Sequence, residues 1–291
     1  KYTRSMTGAI LNLSSASNLV IDGLTMLCSQ DTRAYFGFIS TAGGTVDGVE
    51  MTHVLVEDKT PNRTSRYNYT GGLIAYSTGD TNNVHAEDVK VLMPRNSYVG
   101  GIQGRQETYG QNFYGNTIKN FEVSGYNTVG GLMGYSYAQQ STGDSAETGT
   151  VSGNTEVGGL FGSTTTTGYS ASYHQDLKAI SVSVTASNGC AGGIAGTSGH
   201  FYTRDALVQG CTVKGTSFVG GYLGGNTSDF GQKAIEDLQI VDCTVENTRT
   251  SVSGANYQTT GTGGSFTVYT NPSDPDGVRI AVIGGHIKTP T

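Results

Sequence analysis

Apolar residues recur along the chain in one figure, apolar-x-x-apolar-x-apolar. It is seen at Ile21/Leu24/Met26, Val46/Val49/Met51, Ile118/Phe121/Val123, Leu177/Ile180/Val182, Val208/Cys211/Val213 and Ile240/Cys243/Val245. The last two apolar positions of each figure alternate with polar ones, the period of a half-buried strand. A second figure, built on glycine, alternates with the first. Six copies read almost alike: Thr70-Gly71-Gly72-Leu73-Ile74-Ala75, Val99-Gly100-Gly101-Ile102-Gln103-Gly104, Val129-Gly130-Gly131-Leu132-Met133-Gly134, Val157-Gly158-Gly159-Leu160-Phe161-Gly162, Ala191-Gly192-Gly193-Ile194-Ala195-Gly196 and Val219-Gly220-Gly221-Tyr222-Leu223-Gly224. Their first glycines, Gly71, Gly100, Gly130, Gly158, Gly192 and Gly220, are separated by 29, 30, 28, 34 and 28 residues. Weaker copies at Phe36-Gly37-Phe38, Val252-Ser253-Gly254-Ala255 and Ile283-Gly284-Gly285-His286 extend the series. Each repeat is thus expected to hold two short strands, a tight turn and a polar loop of variable length. No helical period is present, and glycine at this density opposes helices.

One such repeat cannot bury its own apolar residues. Stacked in register, each strand pairs with its counterpart in the next coil, and the apolar residues join into one core. The sequence therefore predicts an all-β fold, a parallel β-helix or β-solenoid of about eight or nine coils. A single domain over residues 1–291 is expected, with degenerate coils over 1–69, regular repeats over 70–225 and degenerate coils over 226–291. A propeller would need about four strands per blade and a longer period. In Val-Gly-Gly-Leu both the Val and the Leu are apolar, although strict alternation puts them on opposite faces. A bulge, a corner or a second layer over the outer face would each resolve this.

The repeated Gly-Gly-Leu/Ile-x-Gly, led by Val and followed by a stretch rich in Ser, Thr, Gly and Asn, resembles the GLUG-motif repeats of bacterial surface proteins. Those repeats occur in large adhesins and beside the peptidase domain of IgA-cleaving metallopeptidases. The resemblance covers residues 70–225 strongly and both flanks weakly. It implies a cell-surface location and a structural role for the motif glycines, and it brings no catalytic residues with it. Ala75, Tyr222 and the degraded outer copies depart from the pattern, as terminal coils do when they cap a stack.

Composition narrows the function classes. Glycine accounts for 44 residues, Trp is absent, and charged residues make up 14 % of the chain, against roughly 25 % in ordinary soluble domains. Hydrophobic residues still reach 35 % and are regularly placed, which argues for a packed β protein rather than disorder. A net charge of −6 with no basic stripe disfavours nucleic acid as a partner. No run of about 18 apolar residues exists, so no membrane insertion by a helix of this segment is expected. Lys1 opens on polar sequence rather than a signal peptide, as in a mature chain or an excised fragment.

Catalytic constellations are sparse. HExxH, Gly-x-Ser-x-Gly and GxxxxGK[ST] are absent, and His53, His85, His174, His200 and His286 show no ligand spacing. Cys28, Cys190, Cys211 and Cys243 form no CxxC pair. Cys211 and Cys243 align in neighbouring strand figures, which suits a buried thiol ladder better than a disulfide or metal site. The strongest catalytic candidates are Asp22, Asp47 and Glu87, each directly after the first apolar residue of a strand figure. Stacked about 4.8 Å apart in consecutive coils, such carboxylates would split their pKa values for acid/base work or hold Ca²⁺, as in a polysaccharide lyase. The competing reading is three separate solvated charges; Lys119, Lys178 and Gln209 end the column. Asp274-Pro275-Asp276-Gly277 resembles a fragment of a calcium loop but reads by default as a turn.

Tyrosine supplies the other candidate surface. Tyr109, Tyr114, Tyr135, Tyr137, Tyr169, Tyr173 and Tyr202 lie in polar stretches after glycine figures. Tyr137, Tyr169 and Tyr173, in the stretches Tyr135–Glu147 and Ser163–Asp176, are the ligand-binding candidates, with ring packing over the outer coil as the competing reading. The function these features favour is a non-catalytic extracellular repeat domain of a surface adhesin or stalk. It would present loops to a glycan or protein of a host or neighbouring cell. A polysaccharide lyase or glycoside hydrolase on a β-helix, and a fibre subunit that self-associates end to end, are the alternatives. No cofactor is expected beyond the Ca²⁺ considered above.

Overall fold

The computed structural model describes residues 2–6, 10–28, 35–59, 68–138, 140–165, 172–199, 201–226, 235–248, 258–260, 265–269, 281–283 and 286–288. Among them no helix occurs and every paired strand runs parallel to its neighbours, in about seven stacked turns of a β-solenoid.

One turn shows how the repeat folds. Tyr69–Gly71 lies in a seven-stranded sheet, Ile74–Ser77 in an eight-stranded sheet, and Thr81–Leu92 in a long third sheet of 17 strands. The chain then returns to Tyr98–Gly100, one rung along, where Tyr98 pairs with Tyr69, Val99 with Thr70 and Gly100 with Gly71. The glycine figure is therefore a corner: Gly72 and Leu73 stand between two strands of different sheets. This accounts for the two apolar residues that alternation could not place, since Val99 lies on one leg and Ile102 in the corner after it, and both are fully buried.

Each glycine of the figure meets backbone. A Cβ on Gly71, Gly100, Gly130, Gly158 or Gly192 would sit 2.0–2.1 Å from the carbonyl oxygen three residues on. On Gly101, Gly131, Gly159 or Gly193 it would sit 2.0–2.3 Å from the matching carbonyl of the next turn. On Gly104, Gly134, Gly162 or Gly196 it would sit 2.3–2.6 Å from a backbone nitrogen of the seven-stranded sheet one turn earlier. The first two sheets are pressed together backbone against backbone, closer than any side chain permits. Gly220 holds the same register position as Gly192.

The long sheet bends twice in each turn, at residues in the left-handed region. One column of these is Asn18, Gly48, Asn83, Gly115, Gly143, Asp176 and Asp205; the other is Gly23, His53, Asp88, Asn120, Thr148, Ser181, Gly210 and Asp242. Asn, Asp and Gly tolerate this conformation best. A left-handed residue reverses the side-chain alternation locally, so the residues two before it and one after it both point inward. This is the origin of the apolar-x-x-apolar-x-apolar spacing. Met51, Val54 and Val56 around His53 are buried, as are Ala86, Val89 and Val91 around Asp88. The figure occurs at both bends, five residues apart. Val46/Val49/Met51 belongs to the first bend and Ile21/Leu24/Met26 to the second, because Met51 pairs with Ile21. Leu177/Ile180/Val182 straddles the two bends, and the register there makes Ala179/Val182/Val184 the buried set.

Packing along the core column is graded by volume. A Cβ on Gly149 would lie 2.3 Å from the Phe121 ring, so the large side chain of one turn fills the space left by the next. Cys211 and Cys243 follow in this column as free, buried thiols with Sγ atoms 3.3 and 3.4 Å from the carbonyl oxygens of Ala179 and Val208, the expected thiol ladder.

The interior also holds a polar seam. Thr81 Oγ1 donates to Gln103 Oε1 (2.8 Å), Gln103 Nε2 to Gln106 Oε1 (2.7 Å), and Gln106 Nε2 to the Gly79 carbonyl (3.0 Å). At the first bend, side chains stand in for backbone acceptors: Val84 N donates to Asn116 Oδ1 and Asn116 N to Asp144 Oδ1. Asp144 is fully buried and also bonds Ser141, and burial pushes its carboxyl up to about 8. His174, pressed against the Phe161 ring (6.2 Å), is pulled by burial down to about 3.

These placements set two expectations. Replacing Leu132 or Leu160, both fully buried, by Asp should collapse more than one turn, since an unpaired buried charge costs several kcal/mol and neighbouring turns share the core. Thermal melts like those of the parent protein would refute that placement of the core. The second expectation concerns pH. Folded Asp144 holds its proton up to about pH 8 while the unfolded chain releases it near 3.8, so this group lowers stability as pH rises across that window. His174 acts oppositely, adding stability as pH rises from about 3 to 6.5. Above about 6.5 the His174 gain is complete while the Asp144 decline continues to about 8. Asp144→Asn keeps the acceptor for Asn116 and should make the fall of the melting temperature over that interval shallower than in the parent.

Candidate binding surface

The three carboxylates read from the sequence as one column occupy two. Asp22 pairs in register with Thr52, and Thr52 with Glu87, so Asp22 and Glu87 stand two rungs apart. Asp47 stands at the other bend, between Ser17 and Asn82, and accepts a hydrogen bond from Asn83 Nδ2 at 2.8 Å. The error has a physical source: each residue precedes a left-handed residue, but Asp47 does so at the first bend and the others at the second.

What gathers around Asp22 instead is a cluster of His53, Thr52 and Asp88. His53 Nδ1 lies 2.9 Å from Asp22 Oδ1, His53 Nε2 lies 3.5 Å from Asp88 Oδ2, and Thr52 Oγ1 donates to Asp22 at 2.8 Å. The hydrogen bond to Asp22 raises the His53 pKa above 6.5, and the same bond lowers Asp22 below 3.8. All three charged side chains are solvent-exposed, where such pairs contribute little stability. Among the described residues no group of three or more His, Cys, Asp or Glu has the geometry to hold a metal ion. Asp274-Pro275-Asp276-Gly277 lies outside the described residues. In an NMR titration His53 should protonate above 6.5 and fall back toward that value in Asp22→Asn; no change in that variant would dissolve the cluster.

The largest aromatic surface lies where the first two sheets meet. Tyr35, Tyr69 and Tyr98 occupy successive rungs of one sheet, and Tyr76, Arg105 and Tyr135 successive rungs of the other. Ring centroids follow one another at 5.3 Å (Tyr35–Tyr69), 5.3 Å (Tyr69–Tyr98), 5.6 Å (Tyr98–Tyr135) and 5.2 Å (Tyr135–Tyr137). Tyr76 joins from the side, 5.5 Å from Tyr35 and 5.6 Å from Tyr69. The Arg105 guanidinium lies 5.3, 5.0 and 4.8 Å from the rings of Tyr69, Tyr98 and Tyr135, and pairs with Glu107. Such cation–π contacts strengthen as the site is desolvated. The rings are half-buried except Tyr35, which is 42 % exposed. Burial raises the pKa of Tyr98 and of Tyr135, which keeps both phenols neutral.

Of the tyrosines expected to bind, Tyr137 belongs to this strip. Tyr173 stands on the long sheet, in register with Gln140 and Tyr202, and is 56 % exposed; Tyr169 lies outside the described residues. The stretch Tyr135–Glu147, read as a loop, is largely strand, since Gln140–Thr142 and Ser145–Gly153 both pair in the long sheet. Its polar residues conceal strand because the outward face of a solenoid is wet. Tyr35, Tyr69, Tyr76, Tyr98 and Arg105 escape a search of the loops. Aligning the glycine figures would have found them, because Tyr35, Tyr69 and Tyr98 stand two residues before the first glycine and Tyr76, Arg105 and Tyr135 five after it.

The chain matches no protein-family model, no curated protein and no solved structure. The likeness to GLUG-motif repeats therefore rests on the repeated motif alone.

Proposed function

We propose that this chain is a non-catalytic, extracellular repeat domain of a surface adhesin or stalk. In this reading the solenoid is a rigid carrier and the tyrosine–arginine strip is the contact surface for a glycan or protein of a host or neighbouring cell. The observation that carries the proposal is the strip: aromatic rings on four successive rungs, locked around one guanidinium. Tyrosine offers a broad contact area with little rotamer entropy to lose, and a site on rigid strands is positioned more accurately than one on loops. The motif's resemblance to GLUG repeats, the low charge and the lack of a recognisable catalytic motif point the same way.

Glycan and protein arrays probed with the purified chain test this reading. A hit should weaken by tenfold or more, about 1.4 kcal/mol, in Tyr137→Ser, with the melting temperature held, whereas Tyr173→Ser should bind as the parent does. Silence on both arrays, or cleavage of a polysaccharide by the intact chain, would overturn the proposal.

A further inference from the structure

Building on that reading, we propose that the strip takes a neutral, linear polysaccharide laid along the solenoid axis. Four features of the strip lead there. Its rings repeat once per turn, at 5.3, 5.3 and 5.6 Å from Tyr35 to Tyr135. A polymer with one sugar per rung, running parallel to the axis, meets a tyrosine ring at each unit, a repetition that a folded protein surface lacks.

The second feature is size. Four rungs at about 4.8 Å span roughly 15 Å, and the strip is two side chains wide, one column from each sheet. That area is well short of the roughly 800 Å² per partner of a stable protein interface, while it suits a single extended chain of sugars.

Charge is the third. Among the described residues Arg105 is the cation of the strip, and it is already matched by Glu107 and enclosed by three rings, its side chain 16 % exposed. Further along the Tyr69–Tyr98 column stand Thr128 and then Glu156, whose Oε2 accepts a hydrogen bond from Thr128 Oγ1 at 3.0 Å. Among the described residues of the strip, sulfates and uronates thus meet a cation already matched and the carboxylates of Glu107 and Glu156. Neutral hydroxyls find phenol groups, Glu107 and Glu156 as hydrogen-bonding partners.

Preorganisation is the fourth. Tyr35 and Tyr69 stack nearly parallel (18°), whereas Tyr98–Tyr135 and Tyr135–Tyr137 meet edge-on at 78° and 65°. The strip thereby presents ring edges and hydroxyl rims in several orientations, with rotamers held by their neighbours before any ligand arrives.

Calorimetry and affinity electrophoresis test the inference with neutral β-glucan, mannan and their oligomers of two to six sugars, and with polygalacturonate and heparin as polyanions. A neutral polymer is expected to bind, with affinity rising with oligomer length and levelling at about four sugars, one per ring from Tyr35 to Tyr135. Tyr35→Ser, the exposed end of the strip, should weaken binding at least fivefold without altering the melt, and Tyr35→Ala with Tyr98→Ala should abolish it. Glu107→Gln releases the Arg105 charge, so polyanions should begin to bind that variant. Binding of polyanions but not neutral polymers by the parent chain would overturn this inference, as would neutral binding unaffected by Tyr35→Ser. A protein ligand that depends on Tyr137 with no polysaccharide bound would also defeat it while leaving the proposed function standing. If the chain binds neither class, both fail.

Discussion

The contact on which the molecule depends is backbone against backbone, between the two short sheets and across successive turns. Gly100, Gly101 and Gly104 each lie where a methyl group would come within 2.1–2.6 Å of a carbonyl oxygen or amide nitrogen. The same three positions recur in Gly130, Gly131 and Gly134 and again in Gly158, Gly159 and Gly162. Glycine costs more chain entropy on folding than other residues. The regular stacking recovers that cost collectively, because each turn supplies the hydrogen-bonding partners of the next. Coil lengths can therefore vary between 28 and 34 residues while the glycine corner keeps its place.

The left-handed bends do for the long sheet what the glycine corner does for the short ones. They turn an extended strand without breaking its pairing, and they re-aim side chains so that two apolar residues spaced by three both enter the core. Where the bend leaves a backbone amide short of a partner, Asn116 and Asp144 supply one from their side chains. A buried acid is the consequence, held neutral by its surroundings and tied to Ser141 and Asn116. Such a seam is stable only when every member is bonded, which also makes it a register lock for the middle turns.

On the outside the same stacking turns single residues into columns. Tyrosine two residues before the corner glycine becomes a ladder because the corners superimpose, and Arg105 reaches the Tyr69 hydroxyl at 3.4 Å although 36 residues separate them. The charged columns differ in kind. Asp22, His53 and Asp88 are joined by ion pairs in open solvent, whereas Arg105 is desolvated by rings and matched by Glu107. Only the second arrangement combines rigidity with a shielded interior, which is what a recognition surface needs.

The architecture is legible in the repeat alone. Period, alternation and glycine spacing are local properties of the chain, and a unit that cannot bury its own apolar face has to stack. They sufficed for the parallel solenoid, the buried Leu132 and Leu160, the thiols of Cys211 and Cys243, and the need for glycine at the corner. Tertiary structure alone decided which residues share a column. The apolar figure appears at both bends, at the first in Val46/Val49/Met51 and at the second in Ile21/Leu24/Met26, so its spacing cannot tell one bend from the other or separate Asp47 from Asp22. Register is set by hydrogen bonds between residues some thirty positions apart, such as Met51 with Ile21. The tyrosine–arginine strip belongs to the same category. Its members come from two sheets whose approach depends on the glycine contacts, and no pairing within a single repeat brings them together.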